Sequence, residues 1–266
     1  MNNTLIAFLL TLLAGLSTGI GSLIAFFAKK TNTKFLSVSL GLSAGVMIYV
    51  SMVEIFPEAH SSLSRHFNSK TAMIITVVAF FAGMILIGLI DSFIPSDQNP
   101  HEAKSVEDMD ADNIAKNKLM RTGVYTALAV GIHNFPEGLA TFVSALKDPK
   151  LAIPIVVAIA IHNIPEGIAV SVPIYYATDS RKKALIYSFT SGLSEPIGAI
   201  IGYALLMPIM NEVVFGILFA SVAGIMVFIS LDELLPAAQE YGEHHSAIYG
   251  LIAGMAIMAF SLILFM

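Results

Sequence analysis

Two copies of one polar motif, His133-Asn134-Phe135-Pro136-Glu137-Gly138 and His162-Asn163-Ile164-Pro165-Glu166-Gly167, each interrupt an apolar stretch long enough to cross a bilayer. Residues four apart share a face of a helix, so His133 stacks with Glu137 and His162 with Glu166. Asn134 and Asn163 stand three residues from those glutamates, on the neighbouring side. Ionisable groups at membrane depth cost roughly 2.5 to 3.5 kcal/mol each, even on the lenient insertion scale, unless something offsets them. A divalent cation held between the two helices would do so, because the pair supplies two imidazoles, two amides and two carboxylates able to bridge. Imidazole suits zinc, iron, copper and nickel, whereas carboxylate suits harder ions such as manganese and magnesium. The chain has no cysteine, so the mixture favours borderline divalent metals, with modest discrimination among Zn²⁺, Fe²⁺, Mn²⁺ and Co²⁺. The competing account is a pair of buried polar contacts that merely hold helices together, but such a pair has no need of a repeated amide and proline.

Pro136 and Pro165 lack an amide hydrogen and free the carbonyls four residues back, inside each ligand face. Glu195, followed by Pro196, is the seventh candidate ligand; the alternative for it is a glutamate solvated at a helix end. Glu54 and Glu58 near one end of the second span, and Asp232 and Glu233 at the matching end of the seventh, would put an acidic cluster at each mouth of a pathway. Asp91, close to the end of the third span, is a further pathway candidate.

These residues need membrane-length helices to carry them. Hydrophobic residues make up 56% of the 266-residue chain and charged residues 12%, which puts the chain with integral membrane proteins and excludes a soluble enzyme. Apolar runs of spanning length occupy Thr4–Phe27, Phe35–Phe56, Ala72–Ile94, Thr122–Leu146, Leu151–Tyr176, Ala184–Met207, Val213–Leu235 and Ala247–Met266. The first has no basic leader or cleavage site and reads as a mature span. The expectation is a single all-α transmembrane domain of eight helices. Lys29, Lys30, Lys34, Lys104, Lys116, Lys118, Arg121, Arg181, Lys182 and Lys183 fall on one side of such a fold, against Arg65, Lys70, Lys147 and Lys150 on the other. The positive-inside rule then places both termini outside the cytoplasm of a multi-pass cytoplasmic-membrane protein, and makes residues 96–118 a cytoplasmic loop. With Glu102, Glu107, Asp108, Asp110 and Asp112 in it, that loop reads as acidic and mobile.

The spans also repeat. Gly15-Leu16-Ser17-Thr18-Gly19-Ile20-Gly21 matches Gly192-Leu193-Ser194-Glu195-Pro196-Ile197-Gly198. Ala44-Gly45-Val46-Met47 matches Ala223-Gly224-Ile225-Met226, and the match runs on through Ser51 with Ser230, Glu54 with Glu233 and Pro57 with Pro236. Elements five spans apart cross in opposite directions, so spans one to three and six to eight form an inverted repeat around the pair of spans four and five, a 3+2+3 arrangement. Inverted repeats with proline-interrupted polar helices at the axis point to a secondary transporter with its site near the midplane. Duplication for packing alone is the other account of such a repeat.

On these motifs the whole chain resembles the ZIP (Zrt/Irt-like) divalent metal transporters, most closely their bacterial ZupT-type branch. The resemblance implies a two-metal centre: one site of His133, Glu137, His162 and Glu166, and a neighbour of Asn134, Asn163 and Glu195, with both glutamates bridging. It implies import of zinc, with iron, manganese, cobalt and cadmium as further cargo, by movement of spans one, four, five and six against a scaffold of the others, and a homodimer joined through that scaffold. No cofactor and no nucleic-acid partner is implied. The chain lacks the histidine-rich loop of many eukaryotic relatives. The rival function is an intramembrane metalloenzyme, a hydrolase or di-metal oxidase on the same ligands, but HxxxE leaves no glutamate free of the metal to act as base.

Overall fold

In hydrocarbon each backbone amide must find a partner within the protein, and the described residues answer with helix throughout and no strand. The computed structural model describes residues 3–27, 33–92, 112–147, 149–241 and 244–265. In order these are α1 (Asn3–Phe27), α2 (Thr33–Val50), a π turn (Ser51–Ile55), α3 (Phe56–Ser64), α4 (Ser69–Ser92), α5 (Asp112–Lys147), α6 (Pro149–Thr178), α7 (Arg181–Gly192), α8 (Ser194–Leu206), a 3₁₀ turn (Met207–Ile209), α9 (Glu212–Ile229), a second π turn (Ser230–Leu234), α10 (Leu235–Tyr241) and α11 (His244–Phe265). Among the described residues seven segments are long and apolar enough to cross a membrane: Asn3–Leu23, Ser37–Ser64, Ser69–Ile90, Ala152–Val172, Arg181–Leu205, Glu212–Gln239 and His245–Leu264. The remaining expected span lies on α5, only part of whose side chains is described. Most of the expected 96–118 loop lies outside the described residues; its last part, from Asp112, is already helix.

Spans two and seven run further than their apolar stretches suggested, to Ser64 in place of Phe56 and to Gln239 in place of Leu235. Both pass through a π turn at the same place in the repeat. The Phe56 N–H reaches back to the Ser51 carbonyl and the Leu235 N–H to the Ser230 carbonyl, one residue further than in an α-helix. Pro57 and Pro236 follow directly. Their rings would crowd the carbonyls four residues back, and the wider turn gives them room without ending the helix.

Loop chemistry sets the other boundaries. The Asn68 side chain accepts from the Thr71 N–H at 3.0 Å to start α4, and Asn211 accepts from Val213 and Val214 at 2.9 Å each to start α9. Asp179 turns the chain between α6 and α7 with φ of 50°, a region that Asp tolerates. Within the sixth span the helix breaks at Leu193. Pro196 has no N–H for the Gly192 carbonyl, so α8 starts afresh with Glu195 in its first turn.

The helices pack in two groups. One contains α1, α5, α6, α7 and α8; the other contains α2, α3, α4, α9, α10 and α11, joined chiefly through α2 with α11 and α4 with α9. The seam between them is made by α6 against α2 and, to a lesser extent, α5 against α9 and α6 against α11. The spanning part of α6 is 67% buried against 28% for α4, so the motif-bearing α6 is central and α4 is a peripheral, lipid-facing helix. Val78 and Ile85 of α4 and Phe260 and Ile263 of α11 project outward.

The repeat is visible in these contacts. A Cβ on Gly21 would strike the Ile164 carbonyl, and one on Gly198 would strike the Phe135 carbonyl at the matching point. Gly167 lies likewise on the Thr18 carbonyl, and Gly138 on that of Glu195. In the second group, Gly45 approaches Leu251 as Gly224 approaches Phe80, and Gly254 approaches Leu42 as Gly83 approaches Ser221. Small residues let helix backbones come this close where the lipid offers no hydrophobic drive between helices.

Candidate metal centre

The two motifs sit on α5 and α6, which pack against each other, with α1 and α8 completing the walls. Asn134, Glu137, His162, Asn163, Glu166 and Glu195 are all buried, none exposing more than 2% of its surface. For Glu195 this removes the reading of a solvated helix end.

The pairing differs from that read along each helix. His162 does not serve only its own turn: its Nε2 reaches across to Glu137 Oε1 on α5, at 3.1 Å. The Asn163 amide turns to α8, where it donates to the Glu195 carboxylate, and also donates to the Ala14 carbonyl on α1 at 3.0 Å. One-dimensional spacing cannot foresee this, because the partners come from helices distant in sequence. Glu195 lies within electrostatic reach of both Glu137 and Glu166, so three carboxyls converge. No Lys or Arg among the described residues is buried. The His162 imidazole by itself cannot balance three carboxyl groups.

Several polar atoms here have no hydrogen-bond partner among the described residues: both ends of the Asn134 amide, both Glu137 oxygens, Asn163 Oδ1, Glu195 Oε2 and Thr18 Oγ1. The Glu137 contact with His162 is thus an ion-pair distance without hydrogen-bond alignment. A buried, unsatisfied donor or acceptor costs about 1–3 kcal/mol, and native proteins hold few of them. So many around one point, mostly oxygens with an imidazole among them, match the donor set that a borderline divalent ion requires. Among the described residues no three His, Asp or Glu side chains close on one ion by themselves. The His133 side chain lies outside the described residues, so the full set of His133, Glu137, His162 and Glu166 stands as an expectation.

Residues not singled out in the sequence support this centre. Ser43 of α2 donates to the His162 carbonyl across the seam, at 3.2 Å. Ser188 of α7 donates to the Thr18 carbonyl at 3.1 Å and the Gly167 carbonyl at 3.3 Å, binding α7 to α1 and α6. Their signal was present: serines in otherwise apolar spans, among them Ser39 and Ser43 one helical turn apart.

The pathway candidates are elsewhere. Glu54 and Glu233 sit at matching positions on the two π turns, half-buried, with Asp232 exposed beside Glu233. Glu58, on α3, is not a free carboxylate awaiting a cation, because Lys147 Nζ holds it at 2.9 Å. The Asp91 side chain lies outside the described residues.

Comparison with known proteins agrees with this chemistry. A family profile described as "ZIP Zinc transporter" matches residues 94–262. A protein of Clostridium perfringens named "Zinc transporter ZupT" is 65% identical over 278 residues, covering 100% of this chain and 98% of its own. The protein of that name from Streptococcus mutans is 68% identical, with 97% of each chain covered. That of Oceanobacillus iheyensis is 64% identical, with 99% of each covered. A profile covering most of the chain, relatives matched end to end, and a buried carboxylate–imidazole–amide centre between paired HNxPEG helices together establish that the chain belongs to the ZIP family of membrane transporters.

Proposed function

We propose that the protein carries divalent metal ions, zinc foremost, across the cytoplasmic membrane, into the cell. The observation that carries this reading is the convergence of Glu137, Glu166 and Glu195 in the interior with no buried Lys or Arg among the described residues. Only a mobile cation neutralises such a site and later leaves it. The relatives' name adds zinc as the first cargo to test; iron, manganese, cobalt and cadmium follow from the same donor chemistry.

In this reading eight spans are arranged 3+2+3 with both termini outside, and two metals share the centre. His133, Glu137, His162 and Glu166 hold one, Asn134, Asn163 and Glu195 the other, and the two motif glutamates bridge. The group of α1, α5, α6, α7 and α8 moves against the remaining helices, which form the scaffold and the homodimer contact. Half-buried Glu54 and Glu233, with Asp91 and Asp232, line the approaches. The separate packing of the two groups, with α6 and α5 along the seam, supports this division. The members of this family are transporters and not enzymes, so the catalytic alternative is not pursued.

Uptake of radiolabelled zinc into proteoliposomes tests the proposal. Replacing Glu137, His162 or Glu166 by alanine is expected to abolish uptake above the protein-free background. Parental rates in all three variants would refute the site. Competition by unlabelled iron, manganese, cobalt and cadmium ranks the cargo.

A further inference from the structure

We propose that Lys147 is a conformational positioning residue, tying the moving helix group to the scaffold at one mouth of the seam in a contact that must break and re-form in each cycle. The inference rests on the carrier reading. Lys147 ends α5, and its ammonium lies 2.9 Å from Glu58 Oε1, 3.1 Å from Ser62 Oγ and 3.5 Å from Glu212 Oε2. It also stands over the Phe215 ring at 4.3 Å, and Arg65 grips Glu212 from the other side at 3.2 Å. All four partners of Lys147, and Arg65 behind Glu212, belong to the scaffold. The ammonium donates to Glu58 and Ser62 and pairs electrostatically with Glu212, so the polar contacts given for it are all to scaffold groups. Beside the contact a cavity of about 440 Å³ parts α5 and α8 from α9, with Val143, Tyr203 and Phe215 in its walls. The tie therefore spans a stretch of seam that packing leaves open.

The repeat supplies the second argument. The match that pairs Glu54 with Glu233 and Pro57 with Pro236 pairs Glu58 with Ala237, Ser62 with Tyr241, Glu212 with Thr33 and Phe215 with Leu36. The match between the two motifs pairs Lys147 with Tyr176. Lys147, Glu58 and Glu212 thus have no like-charged counterpart in the repeat, and Arg65 is matched with His244. Seams related by a repeat start from similar energies, and a tie that the repeat-related residues do not reproduce biases which mouth is shut at rest.

The chain has no cysteine, so a single Val143→Cys reporter in the cavity wall can be labelled cleanly with a polar maleimide in the metal-free, full-length protein. Lys147→Met and Glu58→Gln are each expected to raise the labelling rate about five-fold, the scale of a partly exposed ion-pair network. The double variant should go no further than Lys147→Met alone, because that change already removes the contact that Glu58→Gln weakens. Lys147→Arg, which keeps the charge, should stay within about two-fold of the parent. In zinc uptake, Lys147→Met should change the maximal rate and leave the half-saturating concentration unaltered. Unchanged labelling in Lys147→Met, or effects that multiply in the double variant, would overturn the proposal. Because labelling is read without metal, a shift in a protein that moves no zinc would sink the carrier reading and leave the tie standing.

Discussion

Glu195 stands where the first repeat carries Thr18, and this exchange makes a nearly symmetric frame hold an asymmetric set of buried polar groups. Asn163 engages Glu195 and the Ala14 carbonyl, whereas its repeat mate Asn134 and the hydroxyl of Thr18 make no hydrogen bond. Ser17 Oγ already bonds the Ala14 carbonyl at 2.5 Å. With the helical N–H, Ser17 and Asn163 all directed at that oxygen, Thr18 loses the acceptor four residues back that a helical threonine ordinarily uses. Two residue-level outcomes follow. Glu195→Gln keeps a group for Asn163 to bond but removes one of three carboxylates, so zinc affinity should fall about 10- to 100-fold with the fold retained, as equilibrium dialysis and circular dichroism would report. Thr18→Val deletes a hydroxyl that is unsatisfied, and the thermal midpoint should hold or rise, by an amount equivalent to about 1 kcal/mol. A clear fall would mean that the hydroxyl has a partner in the working protein.

At the scale of elements, the helices of the group containing α1, α5, α6, α7 and α8 are set by backbone contact at glycines. Gly138 and Gly167 rest on the carbonyls of Glu195 and Thr18, the two repeat-related positions, so one close approach per repeat fixes how far α5 lies from α8 and α6 from α1. Alanine at either should cost about 1–3 kcal/mol through forced separation of the helices, seen as a lower midpoint of thermal unfolding in detergent. Gly131, on the same α5, meets none of the described residues within 4 Å of the added Cβ. There alanine should stabilise by up to about 1 kcal/mol, the difference in helix propensity. Equal effects at Gly131 and Gly138 would contradict the packing described. The π turns belong to this scale too: the matched Ser-x-x-Glu-x-x-Pro stretches were readable as a repeat, but a shift of hydrogen-bond register leaves no mark in hydrophobicity, so the helices beyond Phe56 and Leu235 were not foreseen.

For the molecule as a whole, the proposed interior site would make metal binding and stability one equilibrium. An ion that binds the folded state alone at 100 times its dissociation constant adds about 2.7 kcal/mol, so zinc should raise the unfolding midpoint of the parental protein. It should do so far less in Glu137→Ala, where the cross-helix contact to His162 is also lost. A midpoint indifferent to zinc at saturating concentration would argue against an interior site.

Composition, apolar run lengths and the doubled motif were enough to identify the membrane class, the helical architecture, the family and six buried polar residues, because bilayer thickness and the cost of burying charge act on sequence directly. The repeat was legible for the same reason, as matched Gly, Ser, Glu and Pro in apolar surroundings. Which partner each polar group takes was decided only in three dimensions. His162 meets Glu137, Asn163 meets Glu195, and Glu58 is claimed by Lys147, since these contacts depend on the rotation and spacing of helices. Rotation and spacing are settled by the packing of glycines and serines against distant backbone, which helical periodicity within one segment does not encode.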